Sequence, residues 1–252
     1  MAFCELKYTS KALGKMTAAN VIFPENGSIG PFAVLYLLHG LSDDHSGWAR
    51  RSNIERYVAD YPLIVVMPDG GRGFYTDAEE GMPYETAIAG DLVNYIDTIF
   101  QTKKERTGRA LAGLSMGGYG AARLALRFPD RFVSAHSLSG ALAFGHRSID
   151  GEDARVPEFR RIVGANPQGG INDLFALSEK LPQADRPALR IDCGVDDFLI
   201  EDNREFHRHL DNIGYAHEYE EYSGAHSWEY WDEHVREAVE FSARHLGIQK
   251  VA

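Results

Sequence analysis

The chain has 252 residues, 44% hydrophobic and 25% charged, the composition of one α/β domain large enough to bury a sizeable core. A net charge of −11, with basic pairs such as Arg50-Arg51 and Lys103-Lys104 isolated from one another, argues against the basic stripe that a nucleic-acid partner requires. The longest apolar runs, 34–38 and 63–67, fall far below the roughly 20 residues of a membrane helix, the first residues lack an export signal, and two cysteines are too few for a disulfide framework, so a cytoplasmic protein without a membrane partner is expected.

In chain order, strands are predicted over 16–23, 33–38, 63–67, 109–112, 133–138, 188–193 and 217–222. Most are continuous apolar runs and not alternating ones, the pattern of parallel strands covered on both faces. Helices are predicted over 52–59, 84–100, 116–127, 201–213 and 228–245. Ser52-Asn53-Ile54-Glu55 reads as a capping box, and Ile88, Leu92, Tyr95, Ile96 and Ile99 form one apolar stripe. Strand and helix alternate, which predicts a single domain, 1–252, built on a mostly parallel, doubly wound sheet with ligands at the carboxyl ends of the strands. Residues 140–187 break the rhythm with two short helices, 156–163 and 172–181, and are expected to form a small cap-like insertion over the site, with an insertion that takes no part in it as the alternative.

Gly113-Leu114-Ser115-Met116-Gly117 lies between the apolar run ending at Ala112 and a helical stretch. A serine on a sharp strand-to-helix turn projects its hydroxyl above the sheet, and flanking glycines fit where a Cβ or a negative φ does not. That hydroxyl is a weak nucleophile without a base, and the base needs a third group to orient it. Among the histidines after Ser115, His226 alone follows the final strand in a small-residue loop, Ser223-Gly224-Ala225-His226-Ser227-Trp228, ahead of a helix. The others fall inside predicted helices or strands, or, like His146, in the insertion. For the acid, Gly194-Val195-Asp196-Asp197 ends the preceding strand; Asp197 is preferred, Asp196 is the alternative, and Asp150 and Asp153 are further candidates. Oxyanion donors are assigned to the N–H groups of Met116 and Leu41, the latter after the strand end Leu38-His39-Gly40, with His39 supporting that loop. Trp48 and Trp228, near Leu41 and His226 in sequence, are the expected substrate-binding aromatics.

Leu38-His39-Gly40-Leu41-Ser42-Asp43-Asp44-His45-Ser46-Gly47-Trp48, Pro68-Asp69-Gly70, the serine motif with Gly118, Cys193-Gly194-Val195-Asp196-Asp197-Phe198-Leu199 and Gly224-Ala225-His226-Ser227-Trp228 together resemble the esterase D-like superfamily, above all tributyrin esterases and family 1 carbohydrate and feruloyl esterases. The resemblance implies an α/β-hydrolase fold, a Ser-His-Asp triad with the acid at Asp197, the second oxyanion donor at Leu41, a small-molecule ester substrate, a homo-oligomer in some relatives, and no cofactor or metal. Hydrolysis of short-chain acyl or acetyl esters is the expected activity, with acyl transfer to a sugar or alcohol as the alternative. S-formylglutathione hydrolases of the same superfamily resemble Gly-Leu-Thr-Cys at the oxyanion loop; Gly40-Leu41-Ser42-Asp43 departs from that and lowers the expectation of a glutathione thioester.

Overall fold

The computed structural model describes residues 1–251. Eight strands form one sheet in the order β1-β2-β4-β3-β5-β6-β7-β8: β1 (Ala2–Ser10), β2 (Lys15–Phe23), β3 (Ala33–Leu38), β4 (Leu63–Pro68), β5 (Arg109–Leu114), β6 (Ser134–Leu138), β7 (Ala188–Gly194) and β8 (His217–Tyr222). Only β2 runs against its neighbours; β4, β3 and β5 to β8 are parallel. Every residue of β3, β4, β5 and β6 is buried; β3 and β4 are continuous apolar runs, the pattern of strands covered on both faces, while β5 and β6 also bury Arg109, Ser134, His136 and Ser137.

Strand β1 is absent from the sequence-based expectation. It alternates half-buried and exposed residues at the sheet edge, paired with β2 from Ala2↔Phe23 to Ser10↔Lys15, and so lacks the apolar run that marks the central strands. The helices are α1 (Gly47–Arg51), α2 (Ile54–Val58), a π-helical stretch (Thr86–Leu92) continuing into α3 (Val93–Ile99), α4 (Met116–Arg127), α5 (Val156–Val163), α6 (Leu174–Lys180), α7 (Ile200–Asn212) and α8 (Trp228–His245). The predicted 52–59 helix is shorter and is preceded by α1: the Ser52 hydroxyl donates to Trp48 O and closes α1 instead of capping from a box, and Asn53, anchored to Asp232, precedes α2. The wider π-helical turns change the phase of the 84–100 stripe, so Ile88, Leu92 and Ile96 are buried while Ile99 is exposed.

One core, with α3, α4, α6 and α7, covers one face of the sheet; a second, with α1, α2 and α8, covers the other. No helix among the described residues is long and apolar enough to cross a membrane. The chain leaves β3 toward β4 on one side and returns to β5 on the other, so the sheet's switch point lies between β3 and β5, where Leu38 pairs with Gly113. The two motifs Leu38-His39-Gly40 and Gly113-Leu114-Ser115 therefore end side by side.

Candidate active site

Ser115 sits between β5 and α4 with φ +53°, a conformation non-glycine residues rarely hold. The surroundings enforce it. Ser115 N–H donates to Leu138 O at 2.9 Å, and its carbonyl accepts from Tyr119 N and Ala141 N, both at 3.1 Å. A Cβ on Gly117 would lie 2.4 Å from Leu38 O, and one on Gly113 would lie 2.4 Å from Gly117 O, so helix and strand approach more closely than any side chain allows. The motif's two glycines are steric conditions for the turn.

Ser115 Oγ lies 3.0 Å from His226 Nε2, and His226 Nδ1 lies 2.8 Å from Asp197 Oδ2. A carboxylate only accepts, so Nδ1 carries the imidazole proton and Nε2 is left to accept from the serine hydroxyl. Asp197 is buried, and its second oxygen accepts Leu199 N–H at 2.8 Å. Asp196 points to solvent while its N–H donates to Gly224 O at 2.9 Å. Asp150 is exposed, and Asp153 is exposed and paired with Arg155. Only Asp197, of the four candidate acids, reaches His226. Gly194 and Gly224 bring their loops together: a Cβ on Gly194 would fall 2.3 Å from Gly224 O, and Gly224 itself holds φ +138°. Beneath them the Cys193 thiol is pushed up by burial, with the Asp197 charge adding to the shift, which keeps it a neutral core group.

Gly40 is the neighbour of Ser115 on the β3 side; a Cβ there would be 3.7 Å from Ser115 Cβ. The Gly40 carbonyl accepts from His39 Nδ1 at 2.7 Å and Asp43 N at 3.2 Å, while His39 Nε2 accepts Gly70 N–H at 2.9 Å. In a trans peptide the N–H points opposite the carbonyl, so fixing Gly40 O fixes the direction of Leu41 N–H. Met116 N–H belongs to the first turn of α4, where backbone donors lack helical partners. Trp48 is enclosed, 1% exposed, with its indole N–H on Leu38 O at 3.0 Å; it underpins the end of β3 and does not form an open wall. Trp228 is half-buried, edge-on to Trp48 at 5.2 Å and beneath Arg51. Phe198, 73% exposed, leans on the His226 ring at 4.5 Å.

Two residues at the site carry no sequence signal. Arg72 forms a two-pronged ion pair with Glu158 of α5, at 2.6 and 2.8 Å, and donates to Leu41 O at 3.3 Å. The last turn of α5 is further tied down, since the carbonyls of Arg161 and Ile162 accept from Glu80 N and Glu79 N. Phe144 of the 140–187 segment stacks on Phe74 at 3.6 Å, with Phe159 against both.

Known proteins match this chain over nearly its whole length. The esterase family model matches residues 10–241. The acetyl esterase of Caldicellulosiruptor saccharolyticus is 31% identical, over 97% of this chain and 99% of its own length. Among solved structures, the substrate-bound fluorophosphonate-binding serine hydrolase F of Staphylococcus aureus superposes with a TM-score of 0.86 at 31% identity, over 96% of this chain and 98% of that one. A structure described as an S-formylglutathione hydrolase of the same organism gives 0.84 at 31% identity, with the same coverage. The chain belongs to the esterase family, within the esterase D-like superfamily of α/β-hydrolases, and is a carboxylic ester hydrolase.

Proposed function

We propose that the chain hydrolyses short-chain acyl or acetyl esters through an acyl-enzyme on Ser115, with His226 as general base and acid and Asp197 as its orienting carboxylate. The observation that carries this reading is the continuous hydrogen-bonded path from Ser115 Oγ through His226 to buried Asp197. His226 Nε2 takes the hydroxyl proton as Oγ attacks the ester carbonyl, and the charge on the carbonyl oxygen is received by the N–H groups of Leu41 and Met116. The protonated His226, stabilised by Asp197, then gives its proton to the leaving alcohol. Water enters by the same route in reverse and releases the acid. Neither step needs a cofactor or a metal.

The 140–187 segment is the cap of this site, a role supported by the Arg72 to Glu158 ion pair and by Phe144 and Phe159 packed on Phe74. Trp228 and Phe198 are the aromatic groups that meet substrate, as their partial exposure beside the His226 loop favours. The acetyl esterase relative favours a small acyl group. The S-formylglutathione hydrolase neighbour favours, as second reading, a thioester with the same acyl-enzyme chemistry. Acyl transfer to a sugar or alcohol remains a further alternative; product analysis with and without a sugar acceptor separates it from hydrolysis.

Ser115→Ala tests the assignment. Turnover of p-nitrophenyl acetate falls to the small residue that binding and oxyanion donors sustain alone, and labelling by a fluorophosphonate is lost with the fold intact by circular dichroism. Retained turnover or labelling removes Ser115 from the role. Wild-type rates on nitrophenyl esters of increasing chain length, acetylated sugars, methyl ferulate and S-formylglutathione rank the substrate classes.

A further inference from the structure

Far from Ser115, on the opposite rim of the sheet, two histidines and an aspartate converge. We propose that His207, Asp211 and His217 form a binding site for a divalent transition cation of the zinc type, one that clips the end of α7 to the edge strand β8.

His207 and Asp211 are one helical turn apart on α7 and share a face. His217 opens β8 across the short turn that follows. His207 Nδ1 is 2.7 Å from His217 Nε2, His207 Nε2 is 3.5 Å from Asp211 Oδ2, and one donor atom from each of the three residues can be chosen so that all lie within 4.8 Å of one another. In a tetrahedral zinc site with bonds of 2.0 to 2.2 Å, donors stand roughly 3.4 Å apart. Small side-chain rotations therefore open the space for an ion.

The imidazoles are already oriented. His217 Nδ1 is 2.7 Å from Tyr215 O, and since a carbonyl only accepts, Nδ1 bears the proton and the Nε2 lone pair faces His207. A backbone carbonyl on the far nitrogen is the usual outer support of a metal-bound histidine. The His207 ring lies flat on Tyr219, 4.1 Å away and inclined by 3°. On binding, the proton on His207 Nδ1 passes through solvent to Nε2, and Nδ1 becomes a ligand. Glu221, on the same face of β8 as His217 and Tyr219, is committed to Arg204 and to the Tyr219 hydroxyl, which leaves Asp211, exposed and free to turn, as the anionic ligand. Two imidazoles and one carboxylate suit Zn2+, Ni2+ or Cu2+ and disfavour Mg2+ and Ca2+.

The place in the fold assigns the role. His217 stands at the amino end of β8 and Ser115 beyond the carboxyl end of β5, so the ion sits away from the ester chemistry. β8 is an edge strand whose residues are at most half-buried, the part of the sheet that gains most from a tie to its covering helix.

The test is calorimetric titration of the EDTA-treated full chain with ZnCl2, with Co2+ absorption as a second probe of the ligand set. Expected are one Zn2+ per chain at micromolar affinity, tetrahedral Co2+ bands in the visible, a rise in Tm on adding Zn2+, and unchanged p-nitrophenyl acetate turnover. His217→Ala and His207→Gln each weaken binding by about tenfold or more, with circular dichroism and ester turnover preserved. No binding by the wild type, or binding by His217→Ala and His207→Gln equal to that of the wild type, overturns the proposal and leaves a hydrogen bond between two histidines. Should His217→Ala fail to fold, His207→Gln and Asp211→Asn carry the same comparison.

Discussion

Asp197→Asn tests the site where its geometry is most demanding. Asp197 uses both oxygens: Oδ2 accepts from His226 Nδ1 at 2.8 Å, and Oδ1 accepts Leu199 N–H at 2.8 Å. An asparagine carries one acceptor and one donor end. Leu199 N–H selects the amide oxygen for itself, so the NH2 must face His226. The imidazole then turns to the tautomer with Nδ1 unprotonated and Nε2 protonated, and the proton on Nε2 confronts Ser115 Oγ, which no longer has a base. The same substitution in serine proteases lowers kcat by about 10⁴, equivalent to about 5 kcal/mol of barrier, and a comparable fall is expected here because the second hydrogen bond removes the option of flipping the amide. Asp196→Asn alters an exposed side chain and should leave kcat within about threefold. Steady-state p-nitrophenyl acetate hydrolysis of both variants, with folding checked by circular dichroism, decides between them. A loss below about tenfold for Asp197→Asn, or a larger loss for Asp196→Asn, refutes the tautomer argument and moves the acid elsewhere.

Gly117→Ala places a methyl 2.4 Å from Leu38 O and 2.7 Å from His39 O, both rigid backbone atoms, and should lower stability by about 3 kcal/mol along with most activity; a urea titration that shows no change contradicts the close approach. Arg72→Ala releases Leu41 O and Glu158 together. The ion pair is largely exposed and worth less than about 1 kcal/mol, so Tm should barely move, whereas kcat should drop by about fivefold to tenfold, short of the loss of a whole oxyanion donor. A fall confined to KM would mean that Arg72 acts on substrate and not on the loop. Glu221 is held at about 2, chiefly by the Arg204 guanidinium and with help from Tyr219. A depressed carboxyl contributes stability above its ordinary value and loses it as pH falls toward 2. The Tm gap between wild type and Glu221→Gln should therefore be full near neutrality and close progressively on acidification below pH 4.5; a gap that widens in acid would reverse the assignment.

The parts of the fold readable in advance are those where one physical demand dominates a short stretch. Strands β3 and β4 announce themselves because burial on both faces favours an unbroken apolar run, and Gly113 and Gly117 because backbone oxygens stand where a Cβ would be. Strand β1 escapes because an edge strand alternates weakly, and α1 because five residues carry no period. The acid is an intermediate case: adjacent aspartates are equivalent in sequence, and only the turn after β7, which sends Asp196 to solvent and Asp197 inward, separates them. Trp48 shows the limit of nearness in sequence as a guide, since seven residues from Leu41 the chain has already turned beneath β3.

The Arg72 to Glu158 contact joins residues 86 apart whose charges look like ordinary surface at either end. Its place alone gives it meaning. Leu41 N–H is aimed by the peptide whose carbonyl His39 holds, and the next carbonyl, Leu41 O, is held by an arginine that also grips the 140–187 segment. The loop of the proposed oxyanion donor is thus fastened on one side to the sheet and on the other to α5. Any displacement of α5 must either break the ion pair or pull on the loop, and the two-pronged contact, through two of the three guanidinium nitrogens, keeps its geometry through small shifts even though its net contribution to stability is small. Substrates bulky enough to shift α5 should therefore lose kcat through the oxyanion donor and not merely bind more weakly, and the Arg72→Ala variant should discriminate less steeply between acetyl and longer acyl esters than the wild type. Identical chain-length profiles for the two proteins would show that α5 and the oxyanion loop move independently.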